Sequence, residues 1–366
     1  MTTTNVSHSP SVTGRGPPPT PLFTVVLLGF QCAPYLAKAL SSVEAQGVSD
    51  FDVMCLVEES SDESLAICRE WAERHRNARV VSLPKSGSGA ASRNYAIDHA
   101  AGRYLVFLDG DDWIVPGMLE RLAAKLAETG EVDVLAFVLA DTESEDIDLA
   151  RARKATNFTE KDASEVFTGP EAIRRAGRNG GRFHGHSPLN IYRTAFLREN
   201  HLHQPDGLLL EDIEWMVRVW YSARRFAYLP ETLYVYRRRP HSTTTEHSTR
   251  IVHHLALNFR SVLAFAEARG APRDIRAIWA NQWLALLCWF LFHPVTSRKI
   301  SDADRQRALA VLFGNGGCRA FLRFARLASF SKRLAIPFLF LAAGGFSFPG
   351  KCFFRGIYYP LSSRRR

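Results

Sequence analysis

Tyr104-Leu-Val-Phe-Leu-Asp-Gly-Asp-Asp-Trp113 is a short apolar run that delivers three carboxylates at its end. A run of this length reads as a buried strand. A strand of an open α/β sheet ends at the rim where ligands bind, so Asp109, Asp111 and Asp112 are expected to face a pocket. Carboxylates gathered there attract a hard divalent cation such as Mg or Mn. Held by one or two carboxylates, that cation completes its shell with substrate phosphates, which points to a nucleotide-diphosphate guest. An isolated Asp-x-Asp is more often a solvated loop, so the neighbouring sequence has to decide.

Upstream, apolar runs at 24–28, 51–57, 80–83, 104–108 and 133–139 read as strands. Between them, 35–45, 64–75, 90–100 and 117–127 carry apolar residues at helical spacing. This βαβα order predicts an α/β fold with a mostly parallel sheet covered on both faces. The first strand leads into Gly29-Phe-Gln-Cys-Ala-Pro34 and the second into Glu58-Glu-Ser-Ser-Asp62. Both loops leave the carboxyl edge of the sheet, the edge from which Asp109 and Asp111 emerge.

In this setting the chain, over about 23–245, resembles a family-2 glycosyltransferase, the inverting class with the GT-A fold. The likeness rests on motifs in order: Val57-Glu-Glu-Ser-Ser-Asp62, Gly87-Ser-Gly-Ala-Ala-Ser-Arg-Asn94, Leu108-Asp-Gly-Asp-Asp-Trp113, Asp206-Gly-Leu-Leu-Leu-Glu-Asp-Ile-Glu-Trp215 and Leu233-Tyr-Val-Tyr-Arg-Arg-Arg-Pro-His-Ser-Thr243. The chain departs from the family pattern at Leu28 and Gln31, where Pro and Asn are common, and at Glu58 and Glu59, where two Asp are common. The resemblance implies a donor-binding set of Phe30, Glu58, Glu59, Lys85, Arg93 and Asp109, with Asp109 on the ribose hydroxyls. It implies Asp111 as the cation ligand, with His241 as a further ligand. Asp212 is the implied general base, Glu211 its orienting partner, and Trp215 and His186 line the acceptor cleft. From the residues alone, Glu58 and Glu59 also read as a solvated turn, Asp112 as a cap on the helix starting near Pro116, and Asp212 as a plain helix cap.

The chemistry fits these residue types. Breaking an anomeric bond to a diphosphate leaves negative charge on the departing group, which a cation neutralises. Ile213, Met216, Val217 and Trp220 recur at helical spacing, placing Glu211 and Asp212 in a first turn where the helix dipole favours the anion that a base requires. A nucleotidyltransferase would carry a Gly-rich basic loop straight after the first strand, where this chain has Gly29-Phe-Gln-Cys-Ala-Pro. A non-catalytic scaffold on a degenerate transferase fold is the third reading, motivated by Gln31, Glu58 and Glu59.

Charge divides the 366 residues. Residues 1–250 hold 28 Lys+Arg against 33 Asp+Glu, whereas 251–366 hold 18 against 4, with no acidic residue after Asp304. Residues 1–21, rich in Ser, Thr, Pro and Gly, read as a disordered tail rather than a signal peptide, and 22–250 as the catalytic domain. Residues 251–366 read as a helical, basic and aromatic region. Its apolar runs at 283–292 and 334–348 fall short of the ~20 residues needed to span a bilayer. Lying on an anionic membrane from the cytoplasmic side is the expectation, a helical cap packed on the catalytic domain the alternative. No nucleic-acid signature accompanies the basic patch. The six Cys lack metal or disulfide spacing and read as free thiols. The expected activity is transfer of a hexose or N-acetylhexosamine from a nucleotide-diphosphate sugar, UDP-linked by preference, to a polysaccharide, teichoic-acid-type or lipid-linked acceptor.

Overall fold

Strand β1 (Phe23–Gly29) is buried almost along its whole length, because helices cover both faces of the sheet and neither face alternates with solvent. The structure, a computed structural model, describes residues 20–179, 185–239, 249–292, 300–314 and 316–344. β1 pairs in parallel with β2 (Phe51–Glu58) and β4 (Tyr104–Asp109), and β2 pairs in parallel with β3 (Ala78–Leu83). Three helices connect them: α1 (Ala33–Glu44), α2 (Ser64–Glu73) and α3 (Ala90–His99). This half follows the sequence expectation.

The other half is mixed rather than parallel. The sheet order is β3-β2-β1-β4-β8-β6-β9-β5, with β7 (Arg153–Ala155) on β6. β8 (Asn190–Arg193) runs antiparallel between β4 and β6 (Val134–Thr142), and β5 (Trp113–Ile114) antiparallel to β9 (Phe226–Arg237). β8 is four residues long, too short for a recognisable period, and β9 is interrupted by Pro230, so neither stood out in the sequence. This arrangement brings the end of β9 beside the Asp-rich turn that follows β4.

After α4 (Met118–Thr129), α5 (Gly169–Arg178) and α6 (Thr194–Glu199), helix α7 (Glu211–Ser222) carries the acidic first turn. Long helices α8 (Thr249–Ala268) and α9 (Arg273–Phe292) follow, then α10 (Asp302–Phe313), α11 (Gly317–Ala325), α12 (Phe330–Arg333) and α13 (Ile336–Ala343). α9 is long and apolar enough to cross a membrane by length and composition, which the sequence reading placed below that limit. Its Trp279 and Trp283 are nevertheless fully buried inside the protein, and the Trp283 ring stacks on Phe259 of α8 at 5.2 Å. One apolar core runs from Val26 and Phe107 of the sheet through Trp215 and Trp220 of α7 to Leu309, Phe321 and Leu339 of the last helices. Arg305 of α10 is buried within it and donates to the Leu291 carbonyl at 2.9 Å. The C-terminal helices described here are therefore packed as a cap, with their apolar faces turned inward.

Candidate active site

The turn after β4 is shaped by Gly110. A Cβ there would lie 2.7 Å from Cys32 Sγ and 2.9 Å from the Leu28 carbonyl, so only glycine lets the chain pass this close to β1. Asp109 and Asp111 flank it. Asp109 Oδ1 accepts from Arg93 Nη2 at 2.7 Å, and Asp111 Oδ2 accepts from Arg239 Nε at 2.5 Å. Asp112 is buried and does not cap a helix, correcting that expectation. Its Oδ2 accepts from the Tyr234 hydroxyl and its Oδ1 from the Arg237 backbone N–H, both at 2.7 Å. The α4 cap position is instead Gly117 in the left-handed region, with no side-chain cap bond. Asp112 thus ties β9 to the Asp-rich turn, and burial first, then the charges of Asp111 and Asp109, push its carboxyl well above the usual range.

Arg93 joins two parts of the chain. It is 8% exposed, and its Nη1 lies 3.6 Å from Glu211 Oε1 while its Nη2 holds Asp109. A Cβ at Gly89 would collide with this guanidinium, which explains a glycine at that point of the loop. Burial works against its charge, but Asp109, Glu211 and Asp212 outweigh it and secure the cation.

Glu211 and Asp212 open α7 just after Leu210, whose φ of 60° is a strained left-handed conformation for a leucine. Helix α8 holds that turn. Asn258 Nδ2 donates to the carbonyls of Leu209 at 3.0 Å and Leu210 at 3.1 Å, and His254 Nδ1 accepts the Leu209 N–H at 2.9 Å. Burial is the main cause that pushes Glu211 up to about 7, with the Asp212 charge adding and Arg93 opposing. Asp212 is pushed up to about 6, again by burial first, against the pull of Arg93 and the Ile213 N–H.

The remaining expected residues fall in three places. His186 is exposed near Tyr236, with ring centroids 6.1 Å apart, and it interacts electrostatically with Asp109 and Arg93, so it shares this mouth. Phe30, 37% exposed, lies under Lys85 at 5.3 Å, a cation–π pair at the rim of β1. Glu58 is buried and committed to the loop before α3, accepting from the Ser86 N–H at 2.9 Å, the Ser86 hydroxyl at 2.7 Å and the Ser92 hydroxyl at 3.1 Å. Glu59 is exposed. Trp215 does not line a cleft. It is fully buried, donates to the Leu202 carbonyl at 2.7 Å and packs on Tyr192 at 4.9 Å, in the core between α7 and the sheet. His241 lies outside the described residues.

Sequence reading missed Tyr234, Arg237, Arg239 and Asn258. Arg237 lies over the rings of Tyr35 and Trp113, both at 5.0 Å, and its Nε donates to the Asp111 carbonyl at 2.9 Å. The only signal was three arginines ending an aromatic strand. Among the described residues no three His, Cys, Asp or Glu side chains converge to hold a metal. Asp111 offers one hard carboxylate group at the rim, and its Oδ2 is held by Arg239, which a cation using that oxygen would have to displace. Further ligands would come from substrate oxygens and water.

Residues 24–199 match the family model described as Glycosyl transferase family 2. Among curated proteins, the chain is 27% identical over 248 residues to an uncharacterized glycosyltransferase, EpsJ, of Bacillus subtilis, spanning 67% of this chain and 70% of that one. It is 27% identical over 218 residues to the poly(ribitol-phosphate) beta-N-acetylglucosaminyltransferase TarS of Staphylococcus aureus, covering 58% of this chain and 35% of TarS. Among solved structures, the crystal structure of S. aureus TarS 1–349 in complex with UDP-GlcNAc superposes with a TM-score of 0.71 at 22% identity, over 91% of both chains. That similarity concerns the fold.

Proposed function

We propose that the chain, whose residues 24–199 match the Glycosyl transferase family 2 model, is a glycosyltransferase of that family and moves a sugar from a nucleotide-diphosphate donor, UDP-linked, to a polysaccharide, teichoic-acid-type or lipid-linked acceptor with inversion at the anomeric carbon. The observation that carries the reading is Arg93, which bridges Asp109 on the donor side and Glu211 on the acceptor side at 2.7 and 3.6 Å. Residues more than a hundred positions apart in sequence thereby form one site. UDP is favoured because the similar TarS was crystallised with UDP-GlcNAc.

Asp212 is assigned as the base. With its carboxyl at about 6 it is mostly ionised at neutral pH and still basic enough to take the proton of an acceptor hydroxyl. That oxygen forms the new bond to the anomeric carbon as the bond to the diphosphate oxygen breaks, and the electron pair leaves with the diphosphate. Glu211, raised by burial and by the Asp212 charge, serves to orient the acceptor. Arg93 is a positioning residue that keeps the two carboxylate groups in register. Asp109 would hold the donor ribose, and Phe30 and Lys85 would flank the base. Asp111 would hold a Mg or Mn ion, which when bound supplies positive charge to the departing diphosphate.

The test is transfer with UDP-sugars followed by proton NMR of the product's anomeric centre. An inverted configuration is expected; retention would overturn the assignment of Asp212. We place the protein on the cytoplasmic face of an anionic membrane, supported by the 18 to 4 charge ratio after residue 250. Cosedimentation with phosphatidylglycerol but not phosphatidylcholine vesicles is expected, and indifference to lipid charge would refute it.

A further inference from the structure

Far from the sheet edge, a cavity of about 620 Å³ opens between the start of α9 and the segment joining α11 to α12, lined by Arg273, Asp274, Ala277, Arg326, Leu327, Ala328 and Arg333. Three arginines line it. Its single carboxylate, Asp274, is engaged by Arg174 of α5 through a 2.5 Å bond from Nε and leaves little charge for the cavity. Among the described residues, none of Arg273, Arg326 and Arg333 has a carboxylate within salt-bridge distance, whereas the arginines of the active site are each paired.

The chain has almost nothing else to offer them. No Asp or Glu follows Asp304, and 293–299 contains none. Three arginines without a carboxylate partner on one groove offer their planar forks to a ligand with two or more anionic oxygens. The first turn of α9 adds backbone N–H groups and the positive end of a 20-residue helix, although Asp274 offsets part of it. Leu327, Ala328 and Ala277 give the cavity an apolar wall.

We propose that this groove binds the phosphate group of an organic phosphate, a phosphodiester or phosphomonoester with an apolar or sugar substituent, separately from the donor's diphosphate. This deepens the membrane and acceptor readings above and rests on them for the ligand's source: a phospholipid headgroup or a phosphate of the acceptor. The groove would hold the substrate-bearing surface or polymer while the sheet edge performs transfer.

The experiment compares full-length protein with the variant Arg273→Gln, Arg326→Gln, Arg333→Gln. All three side chains are exposed, so the fold should be retained, as a thermal melt checks. Glycerol 3-phosphate binding is followed by calorimetry, vesicle binding by sedimentation with phosphatidylglycerol against phosphatidylcholine, and donor hydrolysis serves as a control for the active site. With about tenfold or less per arginine, wild-type binding should weaken on the order of 100-fold in the variant and fade with salt, at unchanged donor hydrolysis. Loss of vesicle binding identifies a lipid source. Loss of glycerol phosphate binding with vesicle binding intact identifies a soluble phosphate and leaves membrane docking to other residues. Wild type and variant alike in both assays would overturn the groove, whether or not the protein binds membranes.

Discussion

Among the described residues, the arginines at the sheet edge are paired with carboxylates from within the chain, whereas those of the α9 groove are left over. Arg93 takes Asp109 and Glu211, Arg239 takes Asp111, and Arg237 takes Glu145 at 2.8 Å. The difference separates two ways of treating buried or crowded charge. A reaction centre holds its groups in fixed pairs, so that little reorganisation is needed when charge develops. A recognition surface leaves charge uncompensated for a partner to neutralise.

The largest expected effect comes from removing the rim carboxylate. Asp111→Asn should lower transfer on the order of 10³-fold, the scale lost when an electrostatic group facing the leaving charge is removed, and should end any metal dependence. Turnover measured across a Mn titration checks both; unchanged turnover would show that Asp111 is only the partner of Arg239. The companion substitution Arg239→Ala should raise the affinity of the donor-free protein for Mn, read by calorimetry, because it frees Asp111 Oδ2. No change in that affinity would remove Asp111 from the cation site.

Next in size is the clamp on the turn before α7. Asn258 is fully buried, and Asn258→Ala leaves the carbonyls of Leu209 and Leu210 without its two hydrogen bonds. A destabilisation of about 1–3 kcal/mol is expected in chemical denaturation, with a larger loss in turnover than in donor affinity, because the turn that places Glu211 and Asp212 relaxes. Equal losses in both would mean the clamp serves the whole fold.

The last effect is a pH dependence. Glu211 has a folded value of about 7 against an ordinary 4.5, so the folded state binds its proton more tightly than the unfolded chain does. Its contribution is therefore fully present below about pH 4.5 and is lost as pH rises through about 7. Glu211→Gln should leave the unfolding free energy unchanged near pH 4 and raise it above pH 7, by up to about 3 kcal/mol. A variant less stable than wild type at pH 8 would show that the Arg93 pair outweighs burial.

The same contrast explains what could be read in advance. The strands 24–28, 51–57 and 104–108 were legible because each is a continuous apolar run bounded by turn residues, and the placement of Asp109, Asp111, Glu211 and Asp212 at the end of a strand or the start of a helix because each follows such a run or opens a patterned helix. Trp215 was misplaced since a tryptophan three residues after Asp212 reads equally as a sugar platform or as core, and only the direction of α7 decides. Asp112 went to the wrong partner because Tyr234 and Arg237 reach it across more than 120 positions. Asn258 and the α9 groove carry no local pattern at all; their roles exist only once α8 and α9 have packed.

The division of labour at the sheet edge is tested most directly by Asp212→Asn, followed by single-turnover transfer and by donor binding on the same preparation. Turnover should fall ~100-fold or more while the donor dissociation constant stays within about twofold, and the wild-type rise of turnover with pH through about 6 should vanish. Normal turnover with a weakened donor complex would place Asp212 on the donor side and contradict its role as the base.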